Sequence, residues 1–237
     1  MPTLLFGSIG SIVETSELQR LAFNQAFRGA DLDWDWSRED YRAMLRHEGG
    51  RARIKAYAQE RNETVDAEAL HAEKSRLFQL RLDAGDLRPR PGVAELIGRA
   101  SDERVRVGFV STTTPENVAS ILKAVEADIS RDAFALVMDS TFVSRRKPDS
   151  EPYEVALKEL GAKPTHALAI EDNSDGVRAA LAANIETIAF PGENTREHDY
   201  DGALLVVEDR LDPDDILQRL HALDSDGSGE YRKEAHA

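Results

Sequence analysis

The chain of 237 residues has no cysteine, which excludes disulfides, thiolate catalysis and cysteine-based metal sites together. It also lacks any apolar run near the ~20 residues that a membrane-spanning helix needs, and its start has no basic segment leading into a long apolar stretch. The missing span and leader predict a cytoplasmic protein with no membrane partner. Positive charge is scarce: 30 Lys and Arg stand against 44 Asp and Glu, a net charge of −14. Such a surface repels nucleic-acid phosphates and anionic lipid, so nucleic acid is not an expected partner and an anionic ligand needs a local basic pocket. None of the six histidines sits in a metal-ligand or triad-like pattern. His47, beside Glu48 near the Gly49-Gly50-Arg51 segment, is the one histidine to watch.

The hydrophobic content of 41% can fill the core of one large domain or two smaller ones. Short apolar runs at Thr3–Phe6, Val105–Val110, Leu136–Met138, Ala167–Ile170, Ile185–Phe190 and Leu204–Val207 read as buried strands. From Val105 onward they alternate with helical patterns at Pro115–Val125, Glu151–Leu160, Gly176–Ala183 and Pro213–Leu223. Alternation of this kind predicts an α/β fold with a parallel sheet covered on both faces. Residues 15–89 carry helical periodicity and almost no strand signal, so they read as an inserted helical domain. Leu18, Leu21, Ala22, Phe23, Ala26 and Phe27 form the apolar face of its first helix, and Ala67–Asp83 gives a second. Trp34 and Trp36 are expected to pack within this segment. Arg90-Pro91-Gly92 marks the return to a main domain made of residues 1–14 and 90–223. The Ser-, Gly- and charge-rich stretch 224–237 reads as a disordered tail.

In open parallel sheets, ligands bind just beyond the carboxyl ends of the strands. The residues there are polar. Ser111-Thr112-Thr113-Thr114-Pro115 offers hydroxyls and a helix start, read either as an ordinary N-cap or as a phosphate cradle. Ser144-Arg145-Arg146-Lys147-Pro148-Asp149 is a basic cluster in an acidic chain, either a solvated loop or the source of a phosphate-neutralising ammonium. Glu171-Asp172-Asn173-Ser174-Asp175-Gly176 follows a strand with three carboxylates, which suit Mg²⁺ or cap the next helix.

The order and spacing of these segments resemble the haloacid dehalogenase-like (HAD) superfamily over about residues 3 to 208. Ser111 falls on its second motif and Lys147 on its third. Glu171 and Asp172, with Gly176, Ala179 and Ala180, fall on the fourth, metal-binding motif. The resemblance implies a Rossmann-like core with a helical cap. Its first motif is altered: in Leu4-Leu5-Phe6-Gly7-Ser8-Ile9-Gly10-Ser11, Gly7 stands where the family keeps its nucleophilic carboxylate and Ile9 where it keeps its acid/base. Glu14 to Phe27, Glu48-Gly49-Gly50-Arg51-Ala52-Arg53-Ile54, Lys74 and Arg90-Pro91-Gly92-Val93 are similar to the beta-phosphoglucomutase and CbbY-type branch. That likeness implies that Arg51, Arg53 and Lys74 hold the non-reacting end of a phosphosugar, with Ser111, Thr112 and Lys147 at the other end.

The resulting expectation is a catalytically impaired phosphatase, monomeric or homodimeric, that binds a phosphorylated small molecule or inorganic phosphate. Mg²⁺ should be weakly held by Glu171 and Asp172 or absent, since Gly7 removes a carboxylate. The alternatives are a residual or re-routed Mg-dependent phosphatase using water or Glu14, and a structural partner of an active paralogue. Ser8, by strand alternation, should point away from the site.

Overall fold

The structure, a computed structural model, describes residues 1–45, 49–84 and 87–225. His47 and Glu48, and residues 226–237 of the expected tail, lie outside the described residues. The order of elements is β1 (Thr3–Phe6), α1 (Ile9–Ile12), α2 (Ser16–Gly29), α3 (Arg38–Met44), α4 (Gly50–Glu60), α5 (Ala67–Ala84), α6 (Val93–Asp102), β2 (Arg106–Val110) and α7 (Pro115–Ala124). Then come β3 (Leu136–Met138), α8 (Glu151–Leu160), β4 (Ala167–Glu171), α9 (Ser174–Ala182), β5 (Glu186–Ala189), β6 (Leu205–Val206) and α10 (Pro213–Ser225).

The six strands form one parallel sheet in the order β3-β2-β1-β4-β5-β6. The expected α/β class is what the chain adopts. Near-continuous apolar strands suit this arrangement because both faces are covered. Leu4, Phe6, Phe109, Leu168 and Ile170 pack with Leu96 and Ile97 of α6, Ile121 of α7 and Leu217 and Leu220 of α10. On the opposite face Leu5, Val110, Ala167 and Ala169 pack with Tyr153 and Ala156 of α8 and Ala179 and Ala180 of α9.

Helices α2 to α5 share an aromatic core in which Phe23, Phe27, Trp34, Trp36 and Tyr41 are buried beside Ile54 and Leu70. Trp36 lies 4.7 Å from the Phe23 ring and 4.8 Å from the Phe27 ring, so both tryptophans are core residues, as expected. Leu21 is a correction: it is exposed, because the buried stripe of α2 runs through Ala22, Phe23, Ala26 and Phe27. Ala22 and Ala26, with Leu77, Phe78 and Leu82 of α5, also join the core beneath the sheet domain, so the inserted helices are packed onto it.

Register positions the site. Phe6 pairs with Phe109 on one side and with Ile170 on the other. One residue further on, Gly7, Val110 and Glu171 therefore stand in a row across three strand ends. The ladder continues to this point, since Gly7 N–H donates to Ile170 O at 2.9 Å.

Candidate active site

A cavity of about 350 Å³ opens between these strand ends and the inserted helices. Its floor includes Gly7, Ser8, Gly10, Ser111 to Thr114, Lys147 and Asp172, and its roof includes Gln19, Phe23, Arg53, His71, Lys74 and Phe78. Six sequence candidates thus meet in one place: Ser111, Thr112, Lys147, Asp172, Arg53 and Lys74.

On the floor, Thr114 caps α7 by accepting the Asn117 N–H, and Pro115 occupies the first turn. The buried Ser111 hydroxyl accepts the Thr113 N–H at 3.2 Å. Hydroxyls and the helix start converge here, an arrangement that attracts an anion.

Gly7 is the centre of the floor and is not in the left-handed region. What it lacks is room. A Cβ at this position would overlap Glu171 Oε1 and the Tyr153 hydroxyl. Tyr153 OH donates to Glu171 Oε1 at 2.6 Å, and Lys147 Nζ donates to the same oxygen at 2.6 Å. Lys147 Nζ also donates to the carbonyls of Val110, at 2.8 Å, and Gly7. Burial and the Glu171 charge push the Tyr153 phenol well above its ordinary pKa, which keeps it a donor. Tyr153 was not legible as a site residue; a tyrosine in the apolar face of a helix reads as core.

Glu171 and Asp172, the expected metal pair, bond to different partners. Glu171 is fully buried and turned towards Gly7 and Lys147, outside the cavity lining. Asp172 faces the cavity and accepts hydrogen bonds from the Ser8 hydroxyl and from Asn173 Nδ2. Burial, and then the Glu171 charge, raise the pKa of Asp172. Among the described residues no group of three or more His, Asp or Glu is placed to hold a metal ion. Helix α9 is capped by Asn173, which accepts the Gly176 N–H at 2.9 Å.

Ser8 is a second correction. The chain leaves the strand after Phe6, and Ser8 becomes the extended N-cap residue of α1, so its side chain reaches Asp172 and lines the cavity. Glu14 is committed elsewhere: Oε1 accepts from Ser16 N and Oγ, and Oε2 accepts the Glu193 N–H at 2.6 Å. Arg90, also behind the site, donates to the carbonyls of Gly10, Phe190 and Pro191 and stacks on Phe190 at 3.4 Å. It fixes the backbone behind the floor, a role that adjacent prolines had suggested only as a crossing.

The roof is cationic. Lys74 is 5% exposed, donates to Gln19 Oε1 at 2.8 Å and lies 4.8 and 5.0 Å from the Phe23 and Phe78 rings. Burial, helped by the Arg53 charge, brings its pKa down to about 7. Arg53 sits over Tyr41, and its buried Nε and Nη1 have no hydrogen-bond partner among the described residues. Burial and the charges of Lys74 and Arg51 lower His71 to about 4, so it is neutral at ordinary pH. Arg51 is a third correction: it is exposed, ion-paired with Glu68, and does not line the cavity.

Comparison with known proteins agrees with this architecture. The sequence model of the haloacid dehalogenase-like hydrolases matches residues 3–184. The protein CbbY of Cereibacter sphaeroides is 35% identical over 205 residues, covering 84% of this chain and 88% of its own length. The crystal structure of CbbY from Rhodobacter sphaeroides in complex with phosphate superposes with a TM-score of 0.79 at 32% identity, covering 88% of this chain and 95% of that one. A mutant of that protein in complex with xylulose-(1,5)bisphosphate gives the same TM-score, identity and coverage. The chain belongs to the haloacid dehalogenase-like hydrolases, in their CbbY-like, phosphosugar-phosphatase branch.

Proposed function

We propose that this protein binds a phosphorylated small metabolite between a core of residues 1–14 and 90–223 and a cap of residues 15–89, without turning it over. The observation that carries this reading is the filling of the space beside Gly7. The residue offers no nucleophile, and the volume that a side chain there would need is occupied by Glu171 and Tyr153. Losing a nucleophile lowers turnover about a million-fold, and losing acid/base help costs roughly a hundred- to ten-thousand-fold. Ile9 supplies no such help.

Binding is supported by the two ends of the cavity. Ser111, Thr112 and the α7 start suit one phosphate, with Lys147 close by. Arg53 and Lys74, cations without a carboxylate partner among the described residues, suit a second anionic group or a polar sugar end. The phosphate and xylulose bisphosphate bound by the CbbY structures are in keeping with such a ligand class.

One observation favours a second reading. Ser8 donates its hydroxyl hydrogen to Asp172, and both line the cavity, so a residual phosphatase route would pass through this pair rather than through Glu14. Thermal denaturation with inorganic phosphate and a panel of sugar mono- and bisphosphates, read beside phosphate release, separates the two. A rise in melting temperature with no release above a no-protein control supports a binder. Release that disappears in Ser8→Ala supports the second reading, and a panel that gives neither a rise nor release with any compound overturns both.

A further inference from the structure

The family's divalent cation can be tested against the donor set at the sheet end, and the residues do not fit it. Three hard oxygens from three strand ends converge on one point: the Gly7 carbonyl after β1, the Val110 carbonyl of β2 and Glu171 Oε1 of β4. Sheet register places those residues side by side. The atom at the point of convergence is Lys147 Nζ. An ammonium has three N–H donors, and all three are used here. The side chain is 8% exposed and its carboxylate partner is fully buried, so this is an internal ion pair and not a surface contact. A divalent ion placed beside it would meet a fixed like charge, and Mg²⁺ also demands near-octahedral oxygen coordination at short distance. Glu171 Oε2, the remaining carboxylate oxygen, is buried and has no hydrogen-bond partner among the described residues. Asp172 accepts hydrogen bonds from Ser8 and Asn173 instead.

We infer that Lys147 is the resident cation of this site: its ammonium holds the three strand ends together, and the cavity takes anions without any divalent metal. The room for this arrangement comes from Gly7, since any side chain there would displace Glu171 and Tyr153. With its three hydrogens committed and its charge paired with Glu171, Lys147 is not a direct phosphate donor. The direct donors are those of Ser111 to Thr114.

The inference deepens the proposed anion site, but its metal arm stands without it. Mn²⁺ binding to the full chain is measured by electron paramagnetic resonance and calorimetry, and melting is followed with inorganic phosphate in EDTA or in Mg²⁺. Wild type should bind no Mn²⁺ at millimolar concentration, and any phosphate-induced rise should be equal in EDTA and Mg²⁺. Lys147→Ala opens the oxygen cluster to a metal, so Mn²⁺ should bind it and raise its melting temperature. Stoichiometric Mn²⁺ on wild type, or a phosphate effect that needs Mg²⁺, overturns the inference. So does a folded Lys147→Ala that takes no Mn²⁺. If Lys147→Ala does not fold, the wild-type measurements decide alone. A phosphate effect missing under all conditions counts against the proposed function and leaves the Mn²⁺ result to judge the inference.

Discussion

The floor and the roof of the cavity both carry buried cations, yet they treat them differently. Lys147 on the floor is neutralised inside the protein by Glu171 and by two carbonyls. Lys74 and Arg53 on the roof have aromatic neighbours, a glutamine and unmet donors, with no carboxylate among the described residues. The floor is a closed electrostatic unit. The roof is left charged, and an outside anion is what would complete it. Retaining an uncompensated buried charge is costly for folding, which makes it a better sign of ligand binding than a paired one.

The largest test of this contrast is Lys147→Ala. It leaves Glu171 buried without its counter-ion, and breaking such a pair costs about 3–5 kcal/mol, which denaturant unfolding would show as a lowered midpoint. Lys74→Met should act in the opposite sense. Removing a buried ammonium that has no carboxylate partner among the described residues should stabilise the protein, by about 1–4 kcal/mol. The sign follows from linkage. The folded pKa of Lys74, about 7, lies below its ordinary 10.5, so the unfolded chain holds more protons between those values and stability rises with pH through that window. The gain from Lys74→Met is therefore largest below pH 7 and fades towards pH 10. If both lysine variants destabilise, the contrast between floor and roof is wrong.

Gly7→Asp comes next. It adds a side chain where Glu171 and Tyr153 already stand, and overpacking of this kind costs about 1–3 kcal/mol, or roughly 2–12 °C in melting temperature for a chain of this size. Gly7→Asp with Ile9→Asp should therefore stay inactive. Adding Glu171→Asp, which withdraws the carboxylate from the Gly7 side, should recover part of the lost stability. An unchanged melting temperature for Gly7→Asp would show that the floor is not filled.

The smallest effect is on affinity. Sulfate keeps its charge across neutral pH and so isolates the titration of the roof. Its binding should weaken as pH rises through about 7 and Lys74 loses its proton, by at most about tenfold per pH unit. His71, neutral above about 4, adds no slope there. Lys74→Met should bind sulfate more weakly at pH 6 and show a flat profile by calorimetry.

The sheet was largely legible because parallel strands covered on both faces are apolar at almost every position, and the strand ends then point to Ser111, Lys147 and Asp172. Helix α6 was less obvious, although Val93, Leu96, Ile97 and Ala100 lie on one buried face, because the Pro-Gly signal before it drew the reading towards a crossing. The corrections share one cause: sequence assigns a residue to a segment and does not settle where its side chain turns. Arg51 and Arg53 are two residues apart on α4, about 200° around the helix axis, so only one can face the cavity. Ser8 was placed by strand alternation, which stops one residue too soon. Glu171 could not have been placed at all, since its position depends on an empty Cα at Gly7 and on Tyr153, far away in sequence.

The cavity is proposed to bind a phosphorylated metabolite without hydrolysing it. Phosphorus NMR of the full chain with a sugar bisphosphate, with and without Mg²⁺, tests both halves in one sample. The account predicts shifted or broadened ligand resonances that are unaffected by Mg²⁺, with no growth of inorganic phosphate over days. Inorganic phosphate accumulating in proportion to protein concentration, or ligand resonances that never respond to the protein, would contradict it.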